Sequence, residues 1–377
     1  MLLTIVVFVL MLGLLVFAHE LGHYWTARKL GVKAEEFGFG LPPRMFGWKK
    51  VNGKRKIFWG NKDVDELKSE DTVWSINWLP LGGFVKIKGE DGENKENDSF
   101  AKQKPWKRIV ILSAGVFMNF ILSMVLLAIV FMLGAPQIVE TERARETVVD
   151  PKIQILQVMP DSPAEAAGVK MGDVIVDIND QVFSTTEETS EYITTHRQDE
   201  IVLTVLRYGS EEQEDLTITP TVDTEGDQKI GVALIKSGIV KYPWYEAIWL
   251  GIKSTVLMTG AILIAFWTII KNLFIGMPAG LEVSGPVGIA VMTGQAARMG
   301  LVYILQFTAL LSINLAILNF LPFPALDGGR VLFVIIEKIR RKPMNQKIEN
   351  VIHTIGFVFL IVLLLVVTGK DIFRSLF

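Results

Sequence analysis

The sequence predicts a polytopic α-helical membrane protein with four transmembrane helices, membrane-associated β-hairpins and one extracytoplasmic globular domain. Three observations lead there. Half of the 377 residues are hydrophobic and the net charge is only −2, yet apolar and charged residues are segregated along the chain instead of mixed. Several uncharged runs are long enough to cross roughly 30 Å of hydrocarbon at about 1.5 Å per helical residue. Lysine and arginine cluster beside those runs, where they orient a membrane protein and do not mark a nucleic-acid surface. Cysteine is absent, so any metal site must be built from imidazole and carboxylate.

Residues 1–27 make the first helix. Positions 2–18 carry no charge; no basic segment precedes them and the run is too long for a signal-peptide core. At its far end stands His19-Glu20-Leu21-Gly22-His23. Ionisable groups at membrane depth are costly and functional by default. Helix positions four apart share a face, so His19 and His23 can offer ring nitrogens to one ion while Glu20 lies just around the cylinder. That is the HExxH arrangement of two zinc ligands and a general base. The bland alternative, two histidines hydrogen-bonded across a bundle, would be an expensive way to pack.

Residues 28–108 are dense in cations, with Arg44, Lys49, Lys50, Lys54, Arg55 and Lys56 early and Lys102, Lys104, Lys107 and Arg108 at the end. By the positive-inside rule this segment is cytoplasmic and the amino terminus lies outside. Within it, residues 37–43 and 74–86 are apolar, aromatic and glycine-punctuated without helical period, which suggests β-hairpins against or within the membrane. A small soluble β-domain is the alternative. Residues 109–134 form the second transmembrane helix, with Gly115 and Asn119 on one face, read as a helix–helix contact.

Residues 135–241 change character: acidic residues outnumber basic ones, as suits an outside domain. Strands over 153–158, 201–207 and 216–219, with a turn and strand over 170–179, alternate with a short Pro-started helix within 161–169 and a second helix at 186–195. The succession, with Ser-Pro-Ala-Glu-Ala-Ala-Gly-Val-Lys-Met-Gly-Asp-Val-Ile over 162–175, resembles a PDZ domain. Lys229-Ile230-Gly231-Val232 is its candidate carboxylate-binding loop.

Residues 242–298 are expected to be amphipathic or interfacial, with Trp244–Ile275 along the outer face or only partly entering. The third transmembrane helix, residues 299–329, carries Asn314 and Asn319 and ends in a Pro-rich break that reaches Asp327, the missing third ligand; such a break at membrane depth must line a cavity. Residues 330–350 read as a cytoplasmic turn and 351–377 as the fourth transmembrane helix and tail, with His353 interfacial and His196 on the outer surface. Parity supports this count. His19 lies about 26 Å along the first helix from Leu2, near the cytoplasmic side, and Asp327 reaches the same ion only if Trp244–Ile275 makes no extra crossing.

The chain resembles the site-2 protease family of intramembrane zinc metalloproteases, in its bacterial RseP branch. The likeness runs through Phe-Ala-His-Glu-Leu-Gly-His, Phe37-Gly38-Phe39-Gly40, Leu81-Gly82-Gly83-Phe84-Val85-Lys86, the PDZ segment, Ser284-Gly285-Pro286, and Asn319-Phe-Leu-Pro322-Phe-Pro324-Ala-Leu-Asp327-Gly328-Gly329. It implies one zinc ion held by His19, His23 and Asp327, Glu20 as base, and Asn314 and Asn319 touching the substrate strand. Gly38, Gly40, Gly82, Gly83 and Phe84 are the candidate β-platform for that strand. The implied substrates are transmembrane proteins already trimmed outside, such as an anti-sigma factor, or signal-peptide remnants, cut in a bacterial cytoplasmic membrane near its cytoplasmic side. Some members of this branch carry two PDZ domains, whereas this chain has room for one. A zinc or ion permease using the same cluster is the rival reading, and a permease needs neither Glu20 nor a strand platform.

Overall fold

A computed structural model describes residues 2–51, 53–60, 71–90, 96–138, 148–159, 162–195, 200–207, 212–222, 228–275, 285–342 and 344–376. His196 and Ser284 fall outside them. The chain divides into two compact units, Met1–Ala128 with Ile248–Phe377, and Ile129–Ala247.

The first unit is organised around α1 (Leu2–Lys29) and α2 (Pro105–Leu133). They run antiparallel: His23 meets Ile111 and His19 meets Asn119. Between them in sequence lies a sheet of β1 (Ala34–Val51), β2 (Lys54–Trp59) and β3 (Val73–Ile87), in the order β2-β1-β3. Phe37 of β1 is opposite both Val85 and Trp74 of β3, so the first half of β1 is enclosed on both sides and residues 83–87 form an outer edge. Gly40 makes the bend possible, with φ +75° and no room for a Cβ, which would lie 2.3 Å from the Leu79 carbonyl oxygen. Inside the sheet Arg44 forks onto Glu36, which also accepts from Ser75 Oγ at 2.6 Å. Phe17 stacks on Phe39 at 5.0 Å and Tyr24 meets Phe37 edge-on at 5.6 Å, fastening the sheet along the stretch of α1 that carries the histidines.

The remaining helices of this unit are α5 (Trp244–Ile275), α6 (Pro286–Met299), α7 (Leu301–Phe320), α8 (Asp327–Arg340) and α9 (Gln346–Leu376); α3 and α4 belong to the other unit. Where the sequence suggested only a turn over 330–350, α8 buries Val331, Phe333 and Val334, two of them in a cluster with Ile87, Phe100, Ile111 and Leu112. Arg108 donates to Glu337 at 2.6 Å, tying α2 to α8.

Five helices among the described residues are long and apolar enough to cross a membrane, α5 being the one beyond the four expected. Gly251 of α5 abuts Met124 and Ala128 near the carboxyl end of α2. Gly294 of α6 abuts Thr4 of α1, and Gly288 N–H donates to Asp371 of α9. Because α1 and α2 are antiparallel, Gly251 of α5 and Gly294 of α6 both stand toward the amino-terminal half of α1.

The second unit is a six-stranded antiparallel sheet, with β4 (Ala135–Ile138), β5 (Val148–Val158), β6 (Val174–Ile178), β7 (Ile201–Leu206), β8 (Gln213–Ile218) and β11 (Val232–Val240) in the order β4-β11-β5-β6-β7-β8. The short β9 (Thr221–Val222) and β10 (Gln228–Lys229) pair separately. Helices α3 (Pro163–Ala166) and α4 (Thr186–Thr195) accompany the sheet, and Ser162 caps α3 by accepting from Glu165 N–H. The buried carboxylate of Asp173 takes Lys170 N–H at 2.9 Å and the Arg207 guanidinium at 2.6 Å, which accounts for the aspartate of the Gly-Asp turn.

Candidate metal centre

His19 and His23 leave one face of α1, and that face meets α2 through glycine. A Cβ on Gly22 would lie 2.3 Å from the Ala114 carbonyl oxygen; one on Gly115 would lie 2.3 Å from His23 Nε2 and 2.8 Å from His19 Nε2. The helices touch backbone to backbone, and the space over Gly115 is open for the two rings. This approach brings the Ile111 carbonyl to 2.9 Å from His23 Nδ1. That acceptor places the ring proton on Nδ1 and leaves Nε2 bare. The Asn119 amide lies 3.3 Å from His19 Nδ1, and Ser312 Oγ of α7 donates to the Asn119 carbonyl at 2.8 Å.

Asp327 comes from the far end of the chain. After α7 the backbone reverses over residues 321–326, with Ala325 at φ +74°. A Cβ on Gly328 would lie 2.3 Å from the carbonyl oxygens of Phe320 and Leu321, and one on Gly329 2.2 Å from that of Phe323. Only glycine lets the first turn of α8 fold against this reversal. From α9, His353 Nδ1 accepts Ala325 N–H at 2.9 Å and Gly356 fits against Pro324, so His353 secures the reversal and is not simply an interfacial residue.

The result is a triangle of donors. Asp327 Oδ2 is 3.0 Å from His19 Nε2 and 3.3 Å from His23 Nε2, and the two Nε2 atoms are 3.2 Å apart. Donors about 2.0–2.1 Å from a tetrahedral zinc stand about 3.3 Å from one another, so the triangle has the size of that coordination shell. Asp327 Oδ2 is buried without a hydrogen-bond partner, and a buried carboxylate oxygen of that kind suits a cation ligand. Donor spacing and the orphaned carboxylate oxygen both fit a zinc ion. No other such cluster of three occurs among the described residues.

Glu20 points to the sheet, where Val85 N–H of the outer edge donates to its Oε2 at 2.9 Å. The platform glycines belong to the same sheet: Gly38 is covered by the Phe84 ring, and a Cβ on Gly83 would lie 2.9 Å from the Gly38 carbonyl oxygen. Gly82 has φ +78°. Asn314 Nδ2 bonds the Leu310 carbonyl of its own helix at 3.0 Å, and Asn319 is half-buried just before the reversal. Among the described contacts neither reaches His19, His23 or Asp327.

A family model described as Peptidase family M50 matches residues 7–59 and 55–363. The chain belongs to this family. Relatives agree over their full length. The zinc metalloprotease RasP of Oceanobacillus iheyensis is 32% identical, covering 98% of this chain and 99% of the relative. RasP of Geobacillus kaustophilus is 30% identical over 98% and 97%, and the regulator of sigma-W protease RasP of Bacillus subtilis 31% identical over 98% of each. As an M50 peptidase the chain is an intramembrane zinc metalloprotease of the site-2 type, which removes the ground for a permease.

Sequence reasoning took Gly115 and Asn119 of this M50 chain for simple packing residues, whereas the structure sets both against the histidines. The signal was present: Asn119 is the one side-chain amide in α2. The carbonyl of Ile111 and the N–H of Val85 leave no trace in sequence, because any residue type supplies them.

Proposed function

We propose that His19, His23 and Asp327 hold one zinc ion per chain and that Glu20 is the general base for hydrolysing peptide bonds in or beside transmembrane segments. The observation that carries this is the donor triangle of coordination-shell size with a glutamate beside it, bonded to a strand edge. Zinc bound there supplies Lewis-acid polarisation of the scissile carbonyl and a water that ionises near neutrality. The chain's own groups do the rest. Val85 N–H holds Oε2 of Glu20, so Oε1 takes the proton from the attacking water and returns it to the leaving amine. A helical substrate hides its carbonyls in its own hydrogen bonds and must unwind. The edge at residues 83–87 is suited to accept it as an added strand, on the platform of Gly38, Gly40, Gly82, Gly83 and Phe84. The amides of Asn314 and Asn319 bond its freed backbone groups.

The amino terminus, the PDZ-like domain of residues 135–241 and α6 lie outside, and the donors near the cytoplasmic side. Supporting this are the contact of Gly294 of α6 with Thr4 of α1, that of Gly251 of α5 with the carboxyl-terminal part of α2, and the basic run Arg340-Arg341-Lys342. The helix α5 then makes no net crossing, leaving four spanning helices in a bacterial cytoplasmic membrane. The outside domain admits substrates already trimmed there; the sigma-W regulator among the relatives favours an anti-sigma-factor-like protein. The test is cleavage of a transmembrane peptide by purified full-length protein. Glu20→Gln should keep its zinc and lose about 10²–10⁴-fold in rate, and Asp327→Ala should lose both. Wild-type turnover by Glu20→Gln would overturn the assignment.

A further inference from the structure

Ile111, Gly115 and Asn119 stand four apart on α2 and so form one stripe on one face. The stripe faces the imidazoles in register: the Ile111 carbonyl meets His23 Nδ1, Gly115 lies under both rings, and the Asn119 amide meets His19 Nδ1. Asn119 has no exposed surface. Its nitrogen stands 3.3 Å from Nδ1, while its oxygen is buried without a hydrogen-bond partner. The two ends of an amide are nearly the same size, and a half-turn about χ2 exchanges them.

The two settings differ for the ring. With nitrogen facing it, His19 Nδ1 must accept, and the ring proton belongs on Nε2, where it blocks the lone pair aimed at the donor triangle. With oxygen facing it, Nδ1–H donates and Nε2 is bare. His23 already has this second arrangement through Ile111. We propose that Asn119 is a positioning residue for zinc: its Oδ1 accepts His19 Nδ1–H, so that one helix sets the tautomer of both histidine ligands. The bond from Ser312 to the Asn119 carbonyl anchors the turn that carries it. The proposal rests on the zinc reading given above, and its test separates the two.

Zinc affinity is measured by chelator competition on detergent-purified full-length protein. Asn119→Leu, which fills the space but accepts nothing, should bind zinc about 10–100-fold more weakly. Asn119→Asp keeps an acceptor and should stay near wild type. Equal loss in both variants would reduce Asn119 to packing and overturn the proposal. Unchanged affinity in Asn119→Leu, with zinc lost in His19→Ala, would overturn it while leaving the site intact; zinc retained by His19→Ala would overturn the site itself. Independently of any variant, nitrogen NMR of the zinc-loaded wild type should find the His19 proton on Nδ1. A proton on Nε2 would refute the proposal.

Discussion

In the unit of residues 129–247 the described side chains without exposed surface are apolar apart from Thr189, with Ile178, Ile201, Leu203 and Val205 among them, whereas in the other unit Ser99, Asn119, Ser123 and Ser312 join apolar ones such as Ile111 and Ile313. The outer faces are reversed as well: Ile355, Val362 and Leu365 of α9 are more than half exposed. In water, withdrawal of apolar surface drives the core together. Between helices in lipid that force is absent, and contact is made by small and polar groups, here Gly22 on Ala114, Gly251 on Met124, and Ser123 beside Thr255 at 3.4 Å. Buried polar groups are also the ones that hold metals, so the same rule of assembly that joins α1 to α2 furnishes the site.

The contrast can be broken by substitution. Leu203→Ala should cost the unit of residues 129–247 about 2–5 kcal/mol, read as a lowered unfolding midpoint, while zinc content and turnover of a short transmembrane peptide hold. Loss of zinc in that variant would mean the units are not independent. Val362→Lys, on the lipid-facing side of α9, should cost about 3 kcal/mol in membrane insertion, measurable with a glycosylation reporter. Gly115→Ala adds a single methyl in the ligand space and should weaken zinc about 10–100-fold, some 1.4–2.7 kcal/mol, without lowering the midpoint of residues 129–247. Least of all, Val202→Lys, also exposed and apolar but facing water, should change stability by no more than about 0.5 kcal/mol. Equal tolerance of lysine at positions 202 and 362 would erase the distinction between the two surfaces.

The same contrast explains what the sequence disclosed. In the unit of residues 129–247, alternation of Ile201, Leu203 and Val205 announces both the strand and its buried face, since period two and burial coincide there. In the membrane unit, hydropathy announces the helices but not their contacts. His19, Glu20 and His23 stood out as candidates because charge at that depth is anomalous, and Asp327 because a proline-rich break is; the fold brings His19, His23 and Asp327 together. Asn119 was not assigned to His19, a residue 100 positions away, since spacing within one helix cannot name what stands opposite. Helix α8 was missed because Asp327-Gly328-Gly329 reads as a breaker. The glycines are instead demanded by the reversal packed against that first turn.

The central claim is that two distant segments of the chain supply one coordination shell, and X-ray absorption at the zinc edge of the purified full-length protein tests it most directly. The account predicts one zinc per chain with two imidazole nitrogens and carboxylate oxygen at about 2.0–2.2 Å, and loss of one imidazole contribution in any zinc that His23→Ala retains. A zinc without imidazole scattering, or a wild-type spectrum unchanged in Asp327→Ala, would contradict it.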